Sequence, residues 1–241
     1  MIMRPATLMS ATLALLIAGP SSAQEWIEFA SRQDRFTCNF PSQPKVTETT
    51  SRSQHEADLP ARIYSATQGQ SRYSVTVVDY TQAQRILTEK ARSCPPGAEP
   101  CLGSPGDEGH WKADIRGAID YASWQLMKRD AKLTLFVWAV VDLVEGRQIQ
   151  LTNNADKSRT FAGIYMHENK LYIIEGTVPA GYPEPALFHQ SLGWLDENGA
   201  GLRYQSYYSN GFPPPPRVNR AGRGQGQGRI DAPDANGGQR R

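Results

Sequence analysis

The chain has 241 residues and a formal net charge of +2, from 26 Lys and Arg against 24 Asp and Glu side chains. Residues 212–241 carry six arginines against two aspartates, and Arg4 adds one positive charge, so residues 24–211 have a net charge of −3. Only the C-terminal tail is basic, which excludes a uniformly basic domain. The 188 residues from 24 to 211 suffice for one domain with a substantial core.

Residues 1–23 have the pattern of a cleaved secretory signal. Arg4 supplies the charged start, residues 11–19 supply the apolar core, and Pro20-Ser21-Ser22-Ala23 offers small residues that a signal peptidase reads. A membrane helix, the alternative, needs about 20 apolar residues, and this run has less than half of that length. We therefore expect a periplasmic or secreted protein that starts at Gln24 and has no transmembrane segment.

Short strands are predicted for the first part of the exported chain. Tyr73, Val75 and Val77 alternate with polar residues, which is the period of a half-buried strand that ends near Tyr80. The turn Pro41-Ser42-Gln43-Pro44 separates two earlier segments from the next strand. The other elements predicted here are strands at residues 26–29, 35–40, 45–50 and 62–67 and a short helix at residues 82–92.

A proline-rich loop lies between Cys94 and Cys101. In an exported chain the default for such a pair is a disulfide. The alternative is a metal or redox site with His110 nearby, but six intervening residues match neither the C-x-x-C redox spacing nor the C-x(2–4)-C knuckle of structural zinc. We predict a Cys94–Cys101 disulfide, which leaves Cys38 as a small buried residue of a strand.

An amphipathic helix is predicted from about residue 111. Apolar side chains recur there at spacings of four, four, three and four, which is the period of a helix with one apolar stripe. We expect the stripe to cover one face of a sheet. It consists of Trp111, Ile115, Ile119, Ala122 and Leu126.

The next segment, residues 133–143, is nearly all apolar at both its odd-numbered and its even-numbered positions, which face opposite sides of a strand. A strand with this composition is typically central in its sheet and covered on both faces. The turn Glu145-Gly146-Arg147 then leads into a further strand at residues 148–152. We therefore predict that residues 133–143 form a buried central strand.

The clearest pattern in the chain is a pair of apolar runs at residues 160–166 and 171–178. They flank His167-Glu168-Asn169-Lys170, a polar break whose Asn tolerates positive φ, and the arrangement predicts a β-hairpin. Because both runs are apolar on both faces, the hairpin is expected in the middle of the sheet.

A second covering helix is predicted after the proline-rich break at residues 178–185. Phe188, Leu192 and Leu195 follow at spacings of four and three, and Asn198-Gly199 supplies a stop. We expect this helix to pack on the hairpin. Together the elements predict an α+β fold, an antiparallel sheet of six to eight strands with helices on both faces.

Five short motifs follow one another along the chain: Phe40-Pro41-Ser42-Gln43-Pro44, Gly117-Ala118-Ile119, Glu145-Gly146-Arg147, Asn169-Lys170-Leu171-Tyr172 and Phe188-His189-Gln190-Ser191-Leu192. In this order they resemble exported bacterial domains of the PsbP-like α/β/α sandwich type, over most of residues 26–196. The resemblance implies a binding or accessory role more than catalysis, since members include photosystem accessory proteins and many envelope proteins. The cysteine loop and the Arg-Gly tail depart from that pattern.

The sequence contains no G-x-S-x-G, H-E-x-x-H, P-loop or dinucleotide fingerprint. Its four histidines, His55, His110, His167 and His189, are scattered and are interpreted as surface or structural residues. A serine triad through Ser191 and His189 is formally possible, but neighbours at i and i+2 on a helix point apart. We therefore predict no catalytic residue, no cofactor and no metal site.

Five aromatic residues cluster late in the chain. They indicate either a surface that stacks sugars or peptides, or packing in the core and at hairpin edges, and packing is the favoured interpretation. The five residues are Tyr182, Trp194, Tyr204, Tyr207 and Tyr208.

Residues 212–241 are predicted to form a disordered tail. The proline run at residues 213–216 favours polyproline II, and residues 221–229 are almost only Gly, Gln and Arg, which cannot bury enough apolar surface to fold. Outside the cytoplasm, lipid head groups and envelope polysaccharide are more available polyanions than nucleic acid. The alternative is a solubilising tail without a partner. The candidate contacts for an anionic polymer are Arg217, Arg220, Arg223 and Arg229.

The sequence thus predicts an exported cell-envelope accessory or binding module without catalytic activity, whose partner is an envelope protein or an anionic polymer. Two alternatives stay open. A cleft with a titratable pair of perturbed pKa would favour an envelope hydrolase whose site is assembled from distant loops. The second alternative is a purely structural or stress-related secreted protein. A flat apolar surface patch would favour a role in protein–protein contacts.

Overall fold

The structure is a computed structural model that describes residues 26–93, 109–210 and 217–219. The elements in these residues are, in chain order, β1 (Ile27–Ser31), β2 (Phe36–Phe40), β3 (Lys45–Arg52), β4 (Asp58–Gln68), β5 (Ser71–Asp79), α1 (Ala83–Arg92), α2 (Gly109–Met127), β6 (Ala131–Val141), β7 (Val144–Asn153), β8 (Arg159–His167), β9 (Lys170–Val178), α3 (Ala186–His189), β10 (Gly193–Leu195), β11 (Gly201–Tyr204) and β12 (Arg217–Asn219). No helix in the described part of the chain is long and apolar enough to cross a membrane.

Seven strands form one antiparallel sheet, the large sheet, in the order β3-β4-β5-β9-β8-β7-β6. The remaining strands form the small sheet, in the order β1-β2-β10-β11-β12. Helices α1 and α2 pack on one face of the large sheet, and the small sheet and α3 pack on the other. The predicted α+β class, the antiparallel sheet of six to eight strands and the presence of helices on both faces are confirmed. The small sheet was not predicted.

The hairpin of β8 and β9 lies where the sequence predicts it, in the middle of the large sheet between β5 and β7. Glu168 and Asn169 form its turn with φ angles of 48° and 57°. Two central residues with positive φ are characteristic of the tight hairpin turns that match the twist of the flanking strands. Tyr165 of β8 pairs with Tyr172 of β9, and both are buried.

The predicted helix from residue 111 is confirmed as α2, and its apolar stripe covers the sheet as expected. Ala122 and Leu126 are buried in the same core as Ile149 of β7 and Ile164 of β8. Helix α1 adds Leu87 to this core. The central strands are therefore shielded from water on this side.

On the opposite face, the predicted helix from Phe188 to Leu195 is wrong. The helix α3 is a single turn that ends at His189, and residues 193–195 form β10. Trp194 of β10 pairs with Phe36 of β2 and with Leu202 of β11. A four-then-three spacing of apolar residues does not fix a helix, because backbone pairing with strands distant in sequence overrides local propensity.

A buried carboxylate joins the two sheets. Asp34, in the β1–β2 turn, has no exposed surface and accepts hydrogen bonds from Arg62 at 2.5 and 2.6 Å and from the Tyr64 hydroxyl at 2.6 Å. Lys170 donates to it at 3.0 Å, and the Tyr172 hydroxyl donates to the Asp34 backbone carbonyl at 2.7 Å. Burial raises the pKa of Asp34, but the hydrogen bonds from Arg62, Tyr64 and Lys170 outweigh burial and hold it below its ordinary value.

The prediction of a buried central strand at residues 133–143 is wrong in its position. Residues 133–141 belong to β6, which lies at one edge of the large sheet and is half-exposed along its length. A strand that is apolar on both faces needs cover on both faces, but the pattern does not say whether the strand's own domain provides that cover. Here it does not.

The C-terminal strand β12 lies within the segment that is predicted to be disordered. Its three residues pair with β11, Arg217 opposite Tyr204 and Asn219 opposite Leu202. An open sheet edge offers backbone partners even to a short segment with a single apolar residue, Val218, which the composition of the tail does not reveal. At these residues the structure differs from the prediction.

Candidate functional site

The most unusual surface of the described chain is the outer side of β6. Five of its apolar side chains keep between 38% and 51% of their surface exposed, and they make up half of the ten large exposed hydrophobic side chains in the described residues. A concentration of this kind is typical of an interaction surface, since isolated exposed apolar residues are normal but contiguous ones are rare. We call these five residues the β6 edge: Leu133, Phe136, Val137, Trp138 and Val140.

The β6 edge is apolar on both faces of the sheet. Phe136 pairs with Ile149, which is buried under the helices, so Phe136 lies on the helix side. Val137 pairs with Gln148, whose side chain contacts His189 of α3 at 3.4 Å, so Val137 lies on the small-sheet side. Because β7 is the only neighbour of β6 in the described sheet, half of the β6 backbone N–H and C=O groups point outward.

The segment after β11 fixes one end of this surface. The backbone N–H of Tyr208 donates to the Leu143 carbonyl at 2.9 Å, and Tyr208 bridges to Val144. The adjacent Tyr207, which is 56% exposed, lies edge-on to Trp138 with ring centroids 5.6 Å apart. The two rings extend the apolar surface beyond the strand itself.

The opposite edge of the large sheet is built differently. Strand β3 is also exposed, but its side chains are mostly polar and include Lys45, Glu48 and Arg52. Arg52 forms ion pairs with Glu56 at 3.2 Å and with Asp58 at 3.6 Å. Charged side chains are a common protection of sheet edges against pairing with other chains. One edge of the sheet is therefore protected in this way, and the other is not.

A cleft of about 400 Å³ lies beside the C-terminal end of β6. Its polar lining includes Gln148, the buried His189 and the ion pair of Asp142 with Arg203 at 3.1 Å. Burial lowers the pKa of His189 below its ordinary value, against the raising effects of a backbone hydrogen bond at Ala162 and of the Glu184 charge. This imidazole is therefore held in its neutral form.

Ser191 and His189 do not form the serine–histidine pair that a hydrolase would need. The Ser191 hydroxyl donates to the Phe188 carbonyl at 2.8 Å and accepts from the Asn39 backbone N–H at 2.8 Å. His189 Nδ1 instead lies 3.4 Å from Gln148 and 4.0 Å from Glu184. Within the described residues, no group of three His, Cys, Asp or Glu side chains is placed to hold a metal ion.

A second cavity, of about 450 Å³, lies between α2 and the helix side of the large sheet. Leu126 and Leu171 form apolar walls, and the ion pair of Arg129 with Glu175, at 2.5 Å, closes one side. Burial raises the pKa of the Tyr80 phenol, which also lines this cavity, so the phenol stays protonated. The other polar side chains of the lining are those of Ser51, Arg52 and Gln125 and the phenol of Tyr121.

The remaining predicted residues divide into three groups. Cys38 is fully buried as predicted, and burial raises the pKa of its thiol to about 12. Trp194, Tyr204 and Tyr208 are packed in the core, where they surround the buried His167, and only Tyr182 and Tyr207 of the aromatic cluster are exposed. Outside the described residues lie the predicted disulfide of Cys94 and Cys101 and the tail residues Arg220, Arg223 and Arg229, and Arg217 is placed only by its backbone in β12.

The sequence did not predict the β6 edge, because a local pattern of residues does not determine the order of strands in a sheet. The one available signal is that residues 133–143 follow a helix and continue through a tight turn into a strand, so only one neighbour of β6 is adjacent in sequence. Asp142 and Leu143 make that turn with φ angles of 45° and 66°. A strand joined to its sheet on one side is an edge strand unless another strand is added.

Comparison with known proteins gives a similarity to solved structures but not to a family or to a curated sequence. No family model matches the chain, and no curated protein matches its sequence. The solution structure of cyanobacterial PsbP (CyanoP) from Synechocystis sp. PCC 6803 is similar to it, with 13% identity over 69% of this chain and 87% of that chain and a TM-score of 0.34. A similarity at this level does not assign the chain to a family.

Proposed function

We propose that the chain is a non-catalytic, exported accessory module of the cell envelope that binds a partner polypeptide by strand addition at β6. In this binding mode an extended segment of the partner hydrogen-bonds to the outward backbone groups of an edge strand, and alternate side chains of the segment pack on each face. The exposed apolar β6 edge is the observation that carries the proposal.

The energetics of the β6 edge favour occupation. Aromatic side chains bury about 150–250 Å² each, and Trp138 keeps 51% of its surface exposed. Covering the remaining ~100 Å² of this one ring is worth about 2.5 kcal/mol of hydrophobic free energy. Phe136, at 45% exposed, offers a similar gain on the same face. A partner strand would also satisfy the outward backbone groups of β6, which the ring contacts alone do not.

The difference between the two sheet edges supports binding over incidental exposure. If exposed apolar strands were simply tolerated in this fold, β3 would not need its charged side chains. The polar composition of β3 and the apolar composition of β6 are the expected result when one edge is kept free and the other is used.

The sequence supports the proposed location of the partner. The charged start, apolar core and small-residue end of residues 1–23 support export, so the partner is a polypeptide of the envelope. The basic tail supports a second, weaker contact with an anionic polymer through Arg220, Arg223 and Arg229, which would depend strongly on salt. Strand addition supplies the specificity in this proposal.

Site-specific photo-crosslinking in the cells that produce the protein tests the function. A benzophenone amino acid is placed at Phe136 in β6 and, as a matched control, at Val46 in β3, which is 47% exposed. We expect a crosslinked product from position 136 only, and we expect Val137→Lys to abolish it. Equal products from both positions, or none from position 136, would show that β6 is not a binding surface.

A further inference from the structure

We infer that the strand that pairs with β6 is the β6 of a second copy of this chain. This inference rests on the proposed function and names the partner. A twofold axis perpendicular to the large sheet places two β6 strands side by side and antiparallel, with helices on the same side in both copies. The result is one continuous sheet of fourteen strands, twice the seven of each copy.

Symmetry restricts the possible registers. Residues that face each other across such an axis have numbers that add up to a constant. The constant must be even, because helix-side residues of β6 must meet helix-side residues of the other copy. The candidate registers therefore place Phe136, Val137 or Trp138 opposite itself at the axis.

The register with Val137 on the axis fits the side chains best. Each Trp138 then faces the smaller Phe136 of the other copy on the helix side, and Leu135 faces Ala139 on the small-sheet side, so large and small residues alternate. With Trp138 on the axis, the two indole rings and the Tyr207 ring that packs on each of them would crowd at one point. Aromatic pairs across neighbouring strands are among the more stabilising side-chain pairs in sheets.

The size of the surface sets the expected affinity. Ten half-exposed apolar side chains, five from each copy, and two paired backbones bury on the order of 1,000 Å², which is at the small end of specific interfaces. The bulge between Leu133 and Leu135 limits regular pairing at one end of the strand. We therefore expect a reversible dimer with a dissociation constant in the micromolar range.

Analytical ultracentrifugation of the full exported chain across a concentration series tests the inference. We expect a monomer–dimer equilibrium that Val137→Lys and Val137→Glu each weaken at least about 100-fold, because each substitution places two like charges at the axis. A one-to-one mixture of the two variants should dimerise again, since opposite charges then meet there. Val46→Lys, on the other edge, should leave the equilibrium unchanged.

A cysteine trap keeps the test independent of those charged variants. Opposed residues of antiparallel strands lie about 4.5–5.5 Å apart between Cα atoms, within disulfide range. Val137→Cys should therefore form a disulfide-linked dimer on mild oxidation, whereas Val46→Cys should not. A trap at Trp138→Cys in preference to Val137→Cys would overturn the inferred register.

The two proposals fail in distinguishable ways. A chain that stays monomeric at all concentrations, and whose Phe136 crosslink contains a different protein, would overturn the second copy as the partner and leave strand addition standing. No crosslink from Phe136 and no dimer would overturn both. A crosslinked product of twice the chain mass supports both.

Discussion

Replacing Asp34 by Asn should strongly destabilise the fold, because the Asp34 carboxylate compensates two cations that are largely withdrawn from water. The side chains of Arg62 and Lys170 are only 16% and 12% exposed, and both bind Asp34. Removing one partner of a buried ion pair costs about 3–5 kcal/mol, since the remaining charges are left uncompensated. That is a large share of the about 5–15 kcal/mol by which a domain is stable.

Urea unfolding followed by tryptophan fluorescence measures this loss. The matched control is Asp58→Asn, which removes an exposed carboxylate whose ion pair with Arg52, at 3.6 Å, involves side chains that are 66% and 58% exposed. The control should cost about 0.5 kcal/mol or less. If Asp34→Asn and Asp58→Asn lowered the free energy of unfolding by the same small amount, the structural role given to Asp34 would be refuted.

The same carboxylate predicts an acid limit. Its pKa in the folded chain lies below the ordinary value of 3.8, so the unfolded chain binds this proton first as the pH falls. The contribution of Asp34 to stability is therefore fully present above about pH 4 and is lost as the pH falls through the folded pKa. Asp34→Asn should remove this part of the acid dependence.

Three further outcomes are expected. Thiol labelling of the native exported protein should modify neither Cys94 nor Cys101, and labelling of both without a reductant would disprove their disulfide. Because burial lowers the pKa of His189, the wild-type chain should lose stability as the pH falls below about 6.5, and His189→Gln should lose less; identical pH profiles would contradict this. Ending the chain after Asn219 should change the melting temperature by less than about 2 °C but should abolish salt-sensitive retention on an anionic matrix, and retention that survives truncation would exclude the tail as the contact.

The sequence predicted the elements whose local pattern and tertiary environment agree. The hairpin turn at Glu168 and Asn169 needs residues that tolerate positive φ, and the strands on either side are apolar on both faces because they lie mid-sheet. The stripe of α2 likewise needs only its own periodicity. In these cases the residues that determine the structure are close in sequence.

The remaining features depend on contacts between distant segments. Residues 193–195 form a strand because β2 and β11 offer backbone partners, which the spacing of Phe188, Leu192 and Leu195 does not show. The position of β6 follows from the order of the strands in the sheet, and its apolar pattern is the same whether its own domain or a partner covers it. The network around Asp34 joins residues 28 and 136 positions apart.

Amide hydrogen exchange along the two sheet edges is the most direct test of β6 as the binding strand. The rates are measured in the dilute isolated chain and again in the assembled state recovered by the Phe136 crosslink. Strand addition predicts that exchange in β6 slows at least about tenfold on assembly, while exchange in β3 is unchanged. Unchanged exchange in β6, or slowing confined to β3, would contradict the account.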